Sequence, residues 1–171
     1  MDIILSKKSY IVQLFFSQEH IENRYNLLHN QTMKNNENNI VKVGVGCWIF
    51  NKSGQVLLGK RLSKHGTNQW APPGGHLEFG ETPQQCASRE TYEETHMKIS
   101  PKNFDIISVT NDIFRETNKH YVTIHVVVKN VSKKPVVVEH DKCEQWKWFD
   151  MDKLPKPLFL SAKNLLKQKQ L

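Results

Sequence analysis

The chain has 171 residues, 38% hydrophobic and 24% charged, which suits one globular domain with a real core plus an extension. Its net charge of +7 favours anionic partners, yet no stripe of Lys and Arg interleaved with aromatics appears, which argues against a nucleic-acid partner. The odd, widely spaced Cys47, Cys86 and Cys143, with no C-x-x-C, exclude a disulfide framework and a cysteine zinc site and read as reduced thiols.

Residues 1–39 read as an N-terminal extension. The apolar run at 10–16 is too short for a signal-peptide core, and no small-residue cleavage site follows it. Asp2, Glu19 and Glu22 argue against a mitochondrial presequence. No run is long and apolar enough to span a membrane. The reduced thiols and the poor match to a targeting segment make the cytoplasm the expected location. Residues 17–29 fit a short amphipathic helix with Ile21, Tyr25 and Leu28 on one face. The polar, asparagine-rich stretch 30–39 reads as a linker, and the second domain runs from 40 to 171.

Residues 41–50 are apolar and β-prone. Gly44 and Gly46 inside them suggest a strand closely approached by another backbone. Asn51-Lys52-Ser53-Gly54 is a turn, and 55–60 alternates into a second strand of a hairpin. Lys60 and Arg61 leave that strand before a polar loop at 62–69. Arg61 is the better candidate to clamp phosphate, because its guanidinium fork grips oxygens bidentately. Trp70-Ala71-Pro72-Pro73 then stiffens the approach to Gly74 and Gly75.

The next stretch, GGHLEFGETPQQCASRETYEETHM, runs a glycine loop into a helix. Thr82 is a good N-cap, Pro83 suits the first helical position, and Thr82 with Gln85 has capping-box spacing. The helix stacks Glu90 and Glu94 on one face, with Glu93 beside them. Its apolar stripe is poor: Cys86, Ala87, Tyr92 and Met97. Arg89 can pair with Glu93, but one arginine cannot neutralise three carboxylates. Hard oxygen ligands from carboxylates and a nearby glycine carbonyl are what Mg²⁺ or Mn²⁺ accepts.

Beyond the helix, 106–114 and 121–128 read as strands joined by a polar turn, with Tyr121, Thr123, His125 and Val127 on one face of the second. Residues 136–138 read as a short strand and 144–149 as another, where Trp146 and Trp148 share a side and fit core or sheet packing. After Leu154-Pro155-Lys156-Pro157 comes an amphipathic helix. Leu158, Phe159, Ala162, Leu165 and Leu166 face inward, and Lys163, Lys167 and Lys169 outward.

The glycine loop and glutamate helix resemble the Nudix box, Gly-x5-Glu-x7-Arg-Glu-U-x-Glu-Glu-x-Gly-U, where U is apolar. Gly75, Glu81, Arg89, Glu90, Glu93 and Glu94 occupy its fixed positions. Thr91 replaces the usual aliphatic residue, and His96 stands in place of the last glycine, so His96 must end the helix in left-handed geometry. The resemblance implies an α/β fold: a Nudix α/β/α sandwich with a mixed sheet, the glutamate-bearing loop and helix, and a C-terminal helix. The segments VGVGCWIF, LLGKR, PPGGHLEFGET and HYVTI resemble the MutT-related nucleoside triphosphate diphosphatases of eukaryotes, in the branch acting on thiopurine and oxidised guanine nucleotides.

That resemblance implies Mg²⁺-dependent (or Mn²⁺-dependent) hydrolysis of guanine-type or modified nucleoside triphosphates to monophosphate and diphosphate. By position, Glu90, Glu94 and the Gly75 carbonyl would hold the metal. Glu93 would complete the metal site or take a proton from the attacking water, and Arg89 would hold a glutamate ionised and aimed. Glu81 would be supportive. Arg61, Gly74 and His76 would face phosphates, Thr123 would line the base pocket, and Phe159 would be the aromatic residue at the last helix. A homodimer is expected by resemblance. The alternative keeps the fold and changes the substrate to capped RNA, ADP-ribose, or a pterin or isoprenoid diphosphate. A non-enzymatic nucleotide sensor would have no need of the complete carboxylate set.

Overall fold

The computed structural model describes residues 22–27 and 40–168. Contacts divide the chain into two units, Met1–Ile40 and Val41–Leu171. In the first unit, 22–27 is helical and exposed. The rest of the helix expected over 17–29 and the linker expected over 30–39 lie outside the described residues, as does Lys169.

The second unit runs β1 (Val41–Asn51), β2 (Val56–Arg61), β3 (Trp70–Ala71), β4 (Gly74–His76), α1 (Pro83–Thr95), β5 (Asp105–Phe114), β6 (Lys119–Val131), β7 (Cys143–Phe149) and α2 (Leu160–Gln168). The sheet is seven-stranded and mixed, ordered β3-β2-β1-β6-β5, with β4 also paired to β1 and β7 to β2. β1 lies parallel to β6 and antiparallel to β4. The expected hairpin is shallow. The turn closes through Asn51 and Gln55, but only Phe50 and Val56 stand in register before the strands part to other partners.

Strand alternation builds two cores. Val45, Cys47 and Ile49 of β1, Leu57 of β2, and Val126 and Val128 of β6 face α1, packing on Cys86, Ala87 and Met97. Trp48, Val56 and Leu58 point the other way and pack on Ala162 and Leu165 of α2. This is an α/β/α sandwich. Full burial of each large aliphatic side chain contributes about 1.5–3 kcal/mol. Trp146 and Trp148 pack against the first core.

Three local expectations are corrected. The buried face of α1 is Cys86, Ala87, Thr91 and Thr95. Tyr92 is half-buried and stacks on His96 with ring centroids 4.9 Å apart, because the i, i+4 row from Ala87 passes through the threonines. Residues 136–138 form no strand. The amides of Val136 and Val138 instead donate to the carbonyls of Thr95 and Glu94 at the end of α1, groups that a helix terminus leaves without intrahelical partners. β6 also extends to Val131, which pairs with Asn51 beyond a bulge.

Candidate active site

The N-terminus of α1 is fixed as its sequence requires. Thr82 Oγ1 accepts from the Gln85 amide at 3.2 Å, and Gln85 Oε1 accepts from the Thr82 amide at 2.8 Å, completing the capping box. At the other end His96 takes φ 60°, ψ 12° and its amide donates to the Tyr92 carbonyl at 2.8 Å. The left-handed position normally filled by glycine is thus held by histidine. Between these caps α1 presents Arg89, Glu90, Glu93 and Glu94 to the glycine loop.

Arg89 distributes itself unequally. It grips Glu81 with two hydrogen bonds, Nε to Oε1 at 2.7 Å and Nη2 to Oε2 at 3.0 Å. Nη1 reaches Glu90 at 2.8 Å and Glu93 at 3.2 Å, and Nη2 also donates to the His76 carbonyl at 3.1 Å. The helical pair with Glu93 exists, but Glu81 holds the fork. These bonds push Arg89 above its ordinary value, Glu81 contributing most, and hold Glu81 below the usual carboxylate range. Glu81 therefore orients the arginine that orients Glu90.

Glu94 has a different environment. Its Oε2 accepts the Gly74 amide at 3.1 Å, yet burial pushes its pKa up to about 8, with the Glu90 charge adding to the rise. Glu90 is also raised, mainly by burial, with Arg89 opposing. The glycines explain how the carboxylates come this close to backbone. A Cβ on Gly75 would sit 2.1 Å from Glu90 Oε1, and one on Gly74 would sit 2.1 Å from the Val45 carbonyl oxygen. The close backbone approach expected at Gly44 and Gly46 is real, since β4 pairs there. The positions that demand glycine are on the β4 side.

Among the described residues, no three His, Cys, Asp or Glu side chains are gathered into a group that holds a metal. Arg89 draws Glu90 and Glu93 toward itself, while Glu94 is tied to Gly74. The donor chemistry nonetheless fits a hard divalent cation: carboxylate oxygens, a glycine carbonyl without a Cβ in the way, and a buried carboxylate short of positive charge.

Nine of the ten residues expected at the site line one cavity of about 490 Å³: Arg61, Gly74, Gly75, His76, Glu90, Glu93, Glu94, Thr123 and Phe159. Arg89 does not line it and reaches it through its bonds to Glu90 and Glu93. The engagements of the lining residues differ from expectation in three places. Arg61 does not extend a bare fork: its Nε and Nη2 brace the His65 carbonyl at 3.1 Å, and its guanidinium lies 4.5 Å over the Phe159 ring. His76 pairs with the Tyr121 hydroxyl at 3.2 Å. Thr123 turns its hydroxyl to Asp112 at 2.6 Å.

Sequence reasoning missed two features. One is a buried polar chain behind the cavity. Trp48 Nε1 donates to His125 Nδ1 at 3.1 Å, which leaves Nε2 to donate to Thr110 Oγ1 at 2.9 Å. Thr110 and Thr123 donate to Asp112 Oδ2, and Asn164 donates to Oδ1 at 2.7 Å, tying β5, β6 and α2 together. The alternation of Thr110 with Asp112 on one strand face was the available signal. The other is an aromatic cluster of His65, Phe114, Tyr121 and Phe159 lining the cavity, built from a loop, two strands and the residue before α2.

Residues 41–169 match the NUDIX domain family. A solved structure of the MutT NUDIX hydrolase from Burkholderia pseudomallei is 29% identical, with a TM-score of 0.69, over 77% of this chain and 99% of that one. The bifunctional NMN adenylyltransferase/ADP ribose pyrophosphatase of Francisella tularensis shares the fold at 19% identity and a TM-score of 0.65, covering 86% of this chain and 46% of that one. A curated RNA pyrophosphohydrolase from Azorhizobium caulinodans is 48% identical over 58 residues, which are 32% of this chain and 34% of that protein. The chain thus matches about a third of the length of that relative.

Proposed function

The chain belongs to the NUDIX family and is a hydrolase of that family, acting on diphosphate-linked compounds, and on that premise we propose that its substrate is a nucleotide-derived diphosphate such as ADP-ribose or a phosphorylated RNA 5′ end. The carrying observation is one cavity lined both by carboxylates and Gly75 and by an aromatic cluster. The relatives found support this wider substrate class better than the dedicated guanine-triphosphate reading. That narrower reading rests on the resemblance of short segments, and membership in the eukaryotic branch rests there too.

The proposed chemistry is attack of water on phosphorus, with cleavage of the bond to the bridging oxygen, which leaves with the departing phosphate. Glu90, Glu94 and the Gly75 carbonyl would hold Mg²⁺ or Mn²⁺, which when bound supplies positive charge and a more acidic water. Glu93, half-exposed on the cavity wall, would accept the water's proton. Arg89, fixed by Glu81, aims Glu90 and favours its ionised form against the effect of burial. Lys119 and Arg61 line the same cavity and favour an anionic substrate. A homodimer remains part of this proposal.

The test is a ranking of kcat/KM with Mg²⁺ for ADP-ribose, 5′-triphosphorylated and capped RNA, and guanine-type and canonical dNTPs. We expect ADP-ribose or RNA ends to exceed the guanine triphosphates by at least about tenfold, a difference of ~1.4 kcal/mol. A guanine triphosphate at the top would restore the narrower reading.

A further inference from the structure

We propose that His65 reads the base of the substrate, its Nε2 hydrogen-bonding the polar edge of a heteroaromatic ring stacked among Phe114, Tyr121 and Phe159. The inference rests on the nucleotide reading above and deepens it. His65 lies in the β2–β3 loop, where the sequence offers only a polar stretch. That loop is firmly built. Arg61 donates twice to the His65 carbonyl, Ser63 Oγ donates to it as well, and the Thr67 hydroxyl ties back to the Ser63 carbonyl at 2.8 Å. The imidazole is thereby delivered to the aromatic cluster that lines the cavity. Its centroid is 4.2 Å from that of Phe114, 5.3 Å from Phe159 and 6.1 Å from Tyr121.

Aromatic walls alone would suit any flat or greasy group, an isoprenoid chain included. The discriminating observation is polar. His65 Nε2 is shut away from solvent and has no hydrogen-bond partner, whereas buried polar groups are ordinarily satisfied. Only ring contacts hold the side chain, so a shift of these rings presents the nitrogen to a stacked ligand without breaking a protein hydrogen bond. The ring stays neutral across the physiological range, because burial, with Lys119 and Arg61 adding, pushes its pKa down to about 4. A neutral imidazole offers one donor or one acceptor at Nε2, which matches the edge of a base and has nothing to match in a hydrocarbon. An apolar diphosphate would leave the nitrogen unsatisfied, and a site so built discriminates against it.

The test compares the full chain with His65→Phe, which keeps an aromatic ring, and His65→Gln, which returns a polar atom near the Nε2 position. Two readouts are used: steady-state kinetics on the best nucleotide-derived substrate, and calorimetric binding of nucleoside monophosphates and of inorganic pyrophosphate. For His65→Phe we expect KM to rise about tenfold with kcat falling less than threefold, the sign of lost uniform binding. Monophosphate affinity should fall by the same factor, pyrophosphate affinity should hold within twofold, and His65→Gln should recover part of the loss. Unchanged KM and monophosphate affinity in His65→Phe, with wild-type turnover of nucleotides intact, would overturn the role of His65 alone. Equal loss of pyrophosphate affinity would also overturn it, by reducing His65 to a general packing role. A wild type that binds no monophosphate and turns over only an isoprenoid diphosphate would overturn the nucleotide reading and this inference together.

Discussion

Glu94→Gln is expected to cut turnover at saturating Mg²⁺ by about a thousandfold, ~4 kcal/mol of barrier, while making the cation-free protein more stable at pH 8. The two effects have one cause. Glu94 is a largely buried carboxylate whose pKa burial raises from 4.5 to about 8. Between those values the folded chain holds a proton that the unfolded chain has lost, so stability falls as pH rises through that window. The protonated form's contribution is full below about pH 4.5 and gone above about pH 8. Glutamine keeps the shape, can still accept the Gly74 amide, and removes the charge. Melts in EDTA from pH 5 to 9 should slope downward by a few kcal/mol for wild type and run flatter for the variant. Full activity in the variant, or parallel slopes, would remove Glu94 from its proposed place.

Gly74→Ala is expected to destabilise the chain by about 3 kcal/mol or more and to lower activity over a hundredfold. Gly74 sits at φ 152°, and an added Cβ would lie 2.1 Å from the Val45 carbonyl oxygen and 3.1 Å from its carbon. Those are backbone atoms of β1 and cannot swing aside, so β4 must leave its register of Gly46 with Gly74 and Val45 with Gly75. The Gly74 amide would then lose Glu94. Gly80→Ala is the control. Gly80 has φ 86° but nothing within 4 Å of its added Cβ, so it carries backbone strain of about 1 kcal/mol without a clash. Denaturant midpoints of the two variants check this, and similar losses in both would contradict the clash argument.

What the sequence made legible was local. The Thr82–Gln85 capping box, Pro83 at the start of α1, the left-handed His96 and the alternation of β1 and β6 follow from neighbours a few residues apart. The spacing of Glu90, Glu93 and Glu94 is likewise a property of one helix. What was hidden depends on distant partners. β3 and β4 are two and three residues long and flank prolines, and they exist as strands only because β2 and β1 pair with them. Residues 136–138 have strand composition, but the open carbonyls at the end of α1 claim their amides. Arg61 was legible as a cation near the site, but its brace on His65 was not, because the loop's fold arises from Ser63, Thr67 and Gln69 acting together. Asp112 and Asn164, joined at 2.7 Å, lie 52 residues apart in sequence.

The most direct test of the account is product release from the diphosphate-linked panel by the wild-type chain, run with Mg²⁺, with Mn²⁺ and with EDTA. The account predicts cleavage of a phosphoanhydride bond in at least one nucleotide-derived compound, supported by either cation and abolished by EDTA. Turnover that persists in EDTA, or none of any compound with either cation, would contradict it.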